Sequence, residues 1–125
     1  SLRRRQRQMC IREGYKGYQV RDIIHARDLV HLFYEFINDP RPGEVYNVGG
    51  GRQNSISLLE AIDLIEKITG KRIKYKYGPE REGDHIWWIT NLRKVKSHYS
   101  QWSITYNLED IFREIYKAQL ELLGV

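Results

Sequence analysis

Cysteine is almost absent from this chain of 125 residues. Cys10 stands alone, which excludes an intrachain disulfide and fits a reducing, cytoplasmic setting. No apolar run approaches the roughly 20 residues that a membrane-spanning helix requires, and no signal-peptide pattern is visible, so no membrane partner is expected. One Cys and four scattered His do not make a metal-ligand set, and no metal site is expected. No serine sits in a nucleophile elbow. Internal repeats are missing, and low complexity is confined to the leading residues.

Charge is present but uneven. The formal net charge is +5. Residues 1–16 hold six basic side chains against the single acid Glu13, and the remaining residues carry fifteen of each sign. The excess therefore belongs to the leading segment, and the body is neutral. A nucleic-acid-binding domain spreads basic charge over its folded surface, so a nucleic-acid partner is not expected. Residues 1–13 read as a basic, disordered tail. An Arg-rich end can also grip a polyanion, which leaves open a non-catalytic binding module as an alternative. The length suits about one domain, taken to be residues 14–125.

Along the body, Asp28 reads as the N-cap of DLVHLFYEFI, where Leu29, Leu32, Phe33, Phe36 and Ile37 recur at helical spacing. Pro40, Pro42 and Gly43 stop that helix. The short β-branched and aromatic run EVYNV predicts a buried strand that ends in Gly49, Gly50 and Gly51. Ser57 and Glu60 have capping-box spacing for a second helix with Leu58, Ile62, Ile65 and Ile68 inward and Gly70 as its stop. Residues 72–77 alternate basic and apolar, which predicts a half-buried strand with Ile73, Tyr75 and Tyr77 on one face. Asn91 and Asn107 read as caps of two further helices. The last would turn Leu108, Ile111, Phe112, Ile115 and Leu122 inward.

Two arginines stand apart. Arg21 lies in the apolar run QVRDIIH, and Arg81 lies in GPEREGD before Ile86-Trp87-Trp88-Ile89. A guanidinium in apolar surroundings is matched by a bidentate oxyanion such as phosphate. An internal ion pair, Arg21 with Asp22 or Arg81 with Asp84, satisfies it equally, and the residues alone leave both readings open. His25 reads as a hydrogen-bonded core histidine. Trp87 and Trp88 occupy adjacent strand positions and face opposite sides, so at most one lines a pocket. Asn47 either orients a ligand or ties down the turn that follows it. GGGRQN is not a GxGxxG phosphate loop, and by itself reads as a turn that permits a close approach of backbone or ligand.

The order of QVRDIIHARDLV, EVYNVGGG, REGD, SQWSIT and a final amphipathic helix resembles the carboxy-terminal half of the extended short-chain dehydrogenase/reductase family, the nucleotide-sugar epimerases and dehydratases. The resemblance implies an α/β fold, combining the last strand and helix elements of a Rossmann sheet with a small substrate-binding domain. It implies that Arg21 and Arg81 hold a nucleotide diphosphate, and that Asn47, Gly49, Gly50 and Gly51 are structural supports. GGGRQNSISLLEAIDLIEKITGK and GPEREGDHIWWITNLRKVKSHY look most like members that epimerise a CDP-linked dideoxyhexose at C2. UDP- or dTDP-sugar members are the alternative. The family's cofactor is NAD, and its chemistry uses a Tyr-x-x-x-Lys pair and a glycine-rich dinucleotide loop. Neither occurs here, so the expectation is a fragment with no catalytic residues, which does not hold NAD alone and self-associates through an exposed strand edge. The chain also departs from the family at Arg27, where relatives often carry an acid, and at Ser100, where a proline is usual.

Overall fold

The computed structural model describes residues 9–11 and 15–124. In chain order they form strand β1 (Met9–Ile11), strand β2 (Val20–Asp22), helix α1 (Ala26–Asn38), strand β3 (Ser55–Ser57), helix α2 (Leu58–Thr69), strand β4 (Tyr75–Tyr77), strand β5 (Trp87–Trp88), helix α3 (Arg93–His98) and helix α4 (Leu108–Leu122). Single 3-10 turns cover Tyr15–Gly17 and Arg52–Asn54. The α/β class expected from the sequence holds. β2 is the centre of a three-stranded sheet, antiparallel to β3 and parallel to β5. β1 and β4 make a separate parallel pair.

That pair corrects two expectations. Residues 9–11 of the segment read as a disordered tail are a strand, because their backbone finds the ladder of Tyr75–Tyr77. The Tyr75 and Tyr77 side chains are exposed rather than half-buried, with their rings set edge to face at 5.9 Å.

Helix starts follow local chemistry closely. Ser57 accepts from the Glu60 amide while the Glu60 carboxylate accepts from the Ser57 amide, so the capping box is complete. Gly70 closes the helix in the left-handed region at φ 69°. Hydrogen bonding with Ser57 holds the Glu60 carboxyl below its ordinary value. A lowered carboxylate stabilises the fold above its unfolded pKa, and that contribution disappears as pH falls through the folded value. Ser57→Ala is expected to cost about 1 kcal/mol at neutral pH, read from urea midpoints. The difference from the parent chain should shrink as the pH falls below the carboxylate range.

α1 begins earlier than expected. His25, not Asp28, is its N-cap, with Nδ1 accepting from the Arg27 amide at 2.9 Å. The reason is that Asp28 is engaged elsewhere. Only 2% exposed, it accepts from the Thr105 hydroxyl (2.5 Å) and from the amides of Thr105 and Tyr106 (both 3.1 Å). Its carbonyl accepts from Trp102 Nε1 at 2.8 Å. The amino end of α1 is thereby tied to the segment before α4. Asn91 does accept from the Arg93 amide, as a cap should, although α3 begins only at Arg93.

Leu32, Leu92, Val95, Tyr99 and Trp102 form one core cluster with Ile24, Tyr46, Val48 and Ile104 packed on it, and Ile62 of α2 and Ile111 of α4 are also buried. Residues 44–48 were expected to be a buried strand. They form no ladder with any described residue, although Tyr46 and Val48 face the core while Val45 and Asn47 face out. The alternation is that of a strand, but a strand needs a backbone neighbour. Helix faces are also less covered than their periodicity suggests. Val30, Phe33, Tyr34 and Ile37 leave an apolar stripe on α1 open, and Ile115 and Leu122 of α4 are exposed rather than inward. No helix among the described residues is long and apolar enough to cross a membrane.

Candidate functional site

β2 places two adjacent charges on opposite faces of the sheet, because successive strand side chains alternate. Arg21 points to one side. Its Nη2 donates to Asp84 Oδ1 at 2.8 Å and its Nη1 to the Val20 carbonyl at 2.8 Å, so the guanidinium is held at both ends. Neither ion pair considered from the sequence forms. The actual partner of Arg21 is the residue expected to pair with Arg81, delivered by the parallel β2–β5 register. Asp84 is mostly buried, and its Oδ2 has no hydrogen-bond donor among the described residues. A buried acceptor left open beside a cation can receive a ligand hydroxyl.

Trp88 lies across from Arg21 in the β2–β5 ladder and therefore shares its face, with the His85 ring 5.0 Å away. Trp87 pairs with Val20 and lies on the opposite face. Both indoles are exposed, so Trp88 is the one available as a wall beside Arg21 and Asp84. Arg81 sits on the exposed loop three residues before Asp84, and no carboxylate among the described residues pairs with it.

Asp22 on the other face acts as a tie. Its Oδ2 accepts from the amides of Gly51 (3.0 Å) and Thr90 (3.1 Å). The glycine turn explains its composition here. A Cβ on Gly49 would strike Asp22 and Thr90, and one on Gly50 would strike the Ile23 carbonyl. Gly51 adopts φ 69° against Leu92. The close approach is thus within the chain itself, to side chains at Gly49 and Gly51 and to backbone at Gly50. Asn47, expected to support this turn, is exposed. Buried Asn54 does that work, with Nδ2 donating to the Tyr106 carbonyl at 2.8 Å and its own carbonyl accepting from the Ile23 amide. Nothing in the spacing of Asn54 announces this, since its partner is 52 residues away.

His25 is hydrogen-bonded, as its setting in the sequence suggested. Besides capping α1 it stacks on Tyr106 at 4.1 Å and bonds Glu114 at 2.7 Å, and that bond holds the Glu114 carboxyl below its ordinary value. Arg27, which departs from the family pattern, donates to the Tyr106 hydroxyl at 3.2 Å.

A cleft of about 710 Å³ opens on the Asp22 side. Gly50, Gly51, Arg52 and Gln53 form one wall, and Thr90 to Arg93 with Lys96 form the other. Neither Arg21 nor Arg81 lines it. No group of three or more His, Cys, Asp or Glu among the described residues could hold a metal ion.

No protein-family model matches the chain. Individual proteins do. CDP-paratose 2-epimerase of Salmonella typhi is 29% identical over 102 residues, which is 80% of this chain and 30% of that protein. A UDP-glucose 4-epimerase of Cyamopsis tetragonoloba is 32% identical over 106 residues, 81% of this chain and 29% of the relative. Among solved structures, UDP-glucuronic acid 4-epimerase from Bacillus cereus, in complex with UDP-glucuronic acid and NAD, superposes with a TM-score of 0.79 at 25% identity. That match covers 92% of this chain and 36% of the other. The chain thus spans about 30% of the length of the curated relatives it matches.

Over four-fifths of its length the chain is homologous to the nucleotide-sugar epimerases of the extended short-chain dehydrogenase/reductase family.

Proposed function

We propose that this homologue of the extended short-chain dehydrogenase/reductase epimerases is the substrate-gripping portion of an enzyme like CDP-tyvelose (CDP-paratose) 2-epimerase. The supporting observation is the Arg21–Asp84 pair, in which a doubly held guanidinium adjoins a carboxylate with one buried oxygen left open. In this reading Arg21 and Arg81 grip the diphosphate, Asp84 Oδ2 accepts a hydroxyl, and Trp88 forms a wall of the same face. Such a clamp orients the substrate and supplies binding energy, and forms no bond itself.

The parent reaction is hydride removal and return at C2, for which NAD is the hydride acceptor and donor. The residues present do not fit that cofactor. The sequence has no GxGxxG loop and no Tyr-x-x-x-Lys pair, and the Gly51 amide of the glycine turn is already bound to Asp22. No catalytic step is therefore assigned to any residue of this chain.

Titration of residues 1–125 with CDP tests the reading. Arg81→Ala is expected to weaken CDP binding about tenfold or more with thermal stability unchanged. Equal affinity in the two proteins removes Arg81 from the clamp. No epimerisation is expected from these residues when NAD and a CDP-sugar are supplied together. A UDP-linked substrate is the second reading, favoured by the UDP-glucuronic acid bound in the Bacillus cereus relative. Competition between CDP and UDP separates the two.

A further inference from the structure

The cleft on the Asp22 side has a charge pattern that the diphosphate clamp does not use. Three cations line it, Arg52, Arg93 and Lys96, and no carboxylate does. Five basic side chains elsewhere sit against acids, Arg21 on Asp84, Arg41 on Asp39, Arg72 on Glu66, Lys94 on Glu44 and Arg113 on Glu109, whereas others, Arg81 among them, pair with no carboxylate among the described residues. No such pair forms for the three lining cations among the described residues.

Helix geometry separates the two groups. Arg93 and Lys96 are three apart on α3 and share a face, whereas Lys94 between them leaves that face for Glu44 and the Val45 carbonyl. Arg52 comes from the opposite wall, at the start of the 3-10 turn that the glycines allow. The walls also carry the buried glycine turn and buried Leu92, and such low-dielectric lining strengthens the field of like charges around it. The body of the chain is neutral overall, so this convergence is local.

We infer that this cleft is a second anion site, which takes a phosphorylated small molecule carrying two or more negative charges. Two guanidinium forks from opposite walls suit phosphate oxygens, and Lys96 adds a point charge. Gln53, Thr90 and Asn91 offer further polar atoms along the rim. The volume falls within the range of small-molecule pockets, about 300–1,000 Å³, so a ligand up to nucleotide size fits. Strand alternation puts this site on the face of β2 opposite Arg21. It stands independently of the proposed nucleotide-sugar clamp.

The test is calorimetric titration with inorganic pyrophosphate in the Arg21→Gln/Arg81→Gln background, which removes the proposed clamp and serves as the parent chain for the Arg52→Gln/Arg93→Gln double variant, the single variant Lys96→Gln and, as a control outside both sites, Arg113→Gln. Saturable binding is expected in the parent chain, weakened about tenfold or more in the Arg52/Arg93 double variant, weakened less in Lys96→Gln, and retained in the control. No saturable binding in the parent chain overturns the inference. So does binding that survives in both cleft variants, or binding that the control alone abolishes. If the double variant fails to fold by circular dichroism, Lys96→Gln decides, because an unchanged affinity there refutes the site. Failure of the CDP titration with success of this one leaves the clamp refuted and the cleft supported.

Discussion

Replacing Asp28 with alanine lowers the stability of this fold by about 3–5 kcal/mol, read as a shift of the urea midpoint at neutral pH. The carboxylate is 2% exposed and receives three hydrogen bonds, from the Thr105 hydroxyl and the amides of Thr105 and Tyr106. Alanine removes the acceptor and leaves all three donors beside an apolar methyl group. Each buried donor without a partner costs about 1–3 kcal/mol, although water entering the space relieves part of it. Domains are stable by only about 5–15 kcal/mol, so the loss is a large fraction of the whole. Asp28→Asn is the sharper probe. It keeps the volume but turns one acceptor into a donor that faces other donors, and it should lie between the parent and alanine. A midpoint change worth less than about 1 kcal/mol for alanine would mean that the clamp is not holding the amino end of α1.

Trp102→Ala is the second large effect, expected at about 3–5 kcal/mol by the same measurement. Trp102 is 1% exposed and stands in the core cluster with Leu32, Leu92, Val95 and Tyr99. Its removal leaves a cavity that neighbours on α1 and α3 cannot close without moving. Trp102→Phe separates packing from polarity. It retains an aromatic ring but deletes the Nε1–H that donates to the Asp28 carbonyl, and should cost about 1–2 kcal/mol. The indole and the Asp28 carboxylate fasten the same stretch of α1, so the Asp28 and Trp102 variants should be non-additive when combined. Strict additivity would show two independent anchors.

What the sequence disclosed divides along a physical line. Ser57, Gly70 and Asn107 act within four residues of themselves, and all three terminate helices as their spacing predicts. Asp28 has the composition of a cap, yet its partners lie 77 and 78 residues away, and that distant claim overrides the local one. The vacancy is filled by His25, whose ring nitrogen serves where a carboxylate or hydroxyl is ordinarily sought. The same limit governs the site. Arg21 and Arg81 stand out by their setting, but the partner of Arg21, Asp84, lies 63 residues away and is brought to it by the parallel register of β2 and β5. Periodicity also states which side chains share a face without stating what covers it. Phe33 and Ile37 keep helical spacing and remain exposed, and Val45 alternates like a strand residue beside no strand. Arg52, Arg93 and Lys96 carried no motif at all, because only the folded turn and helix bring them around one cleft.

The Asp28 tie has a consequence for the order in which the molecule is made. A chain emerging from the ribosome completes α1 long before it supplies Thr105 and Tyr106, which arrive after about five-sixths of these residues have been synthesised. Until then the carboxylate has only water, Leu32 lacks Trp102, and β2 awaits its parallel neighbour β5. Contacts of such long sequence separation make folding slow, since loop closure must precede any reward. The nascent segment therefore spends much of its synthesis without the contacts that hold α1, and a 13-residue helix is marginal in water without them.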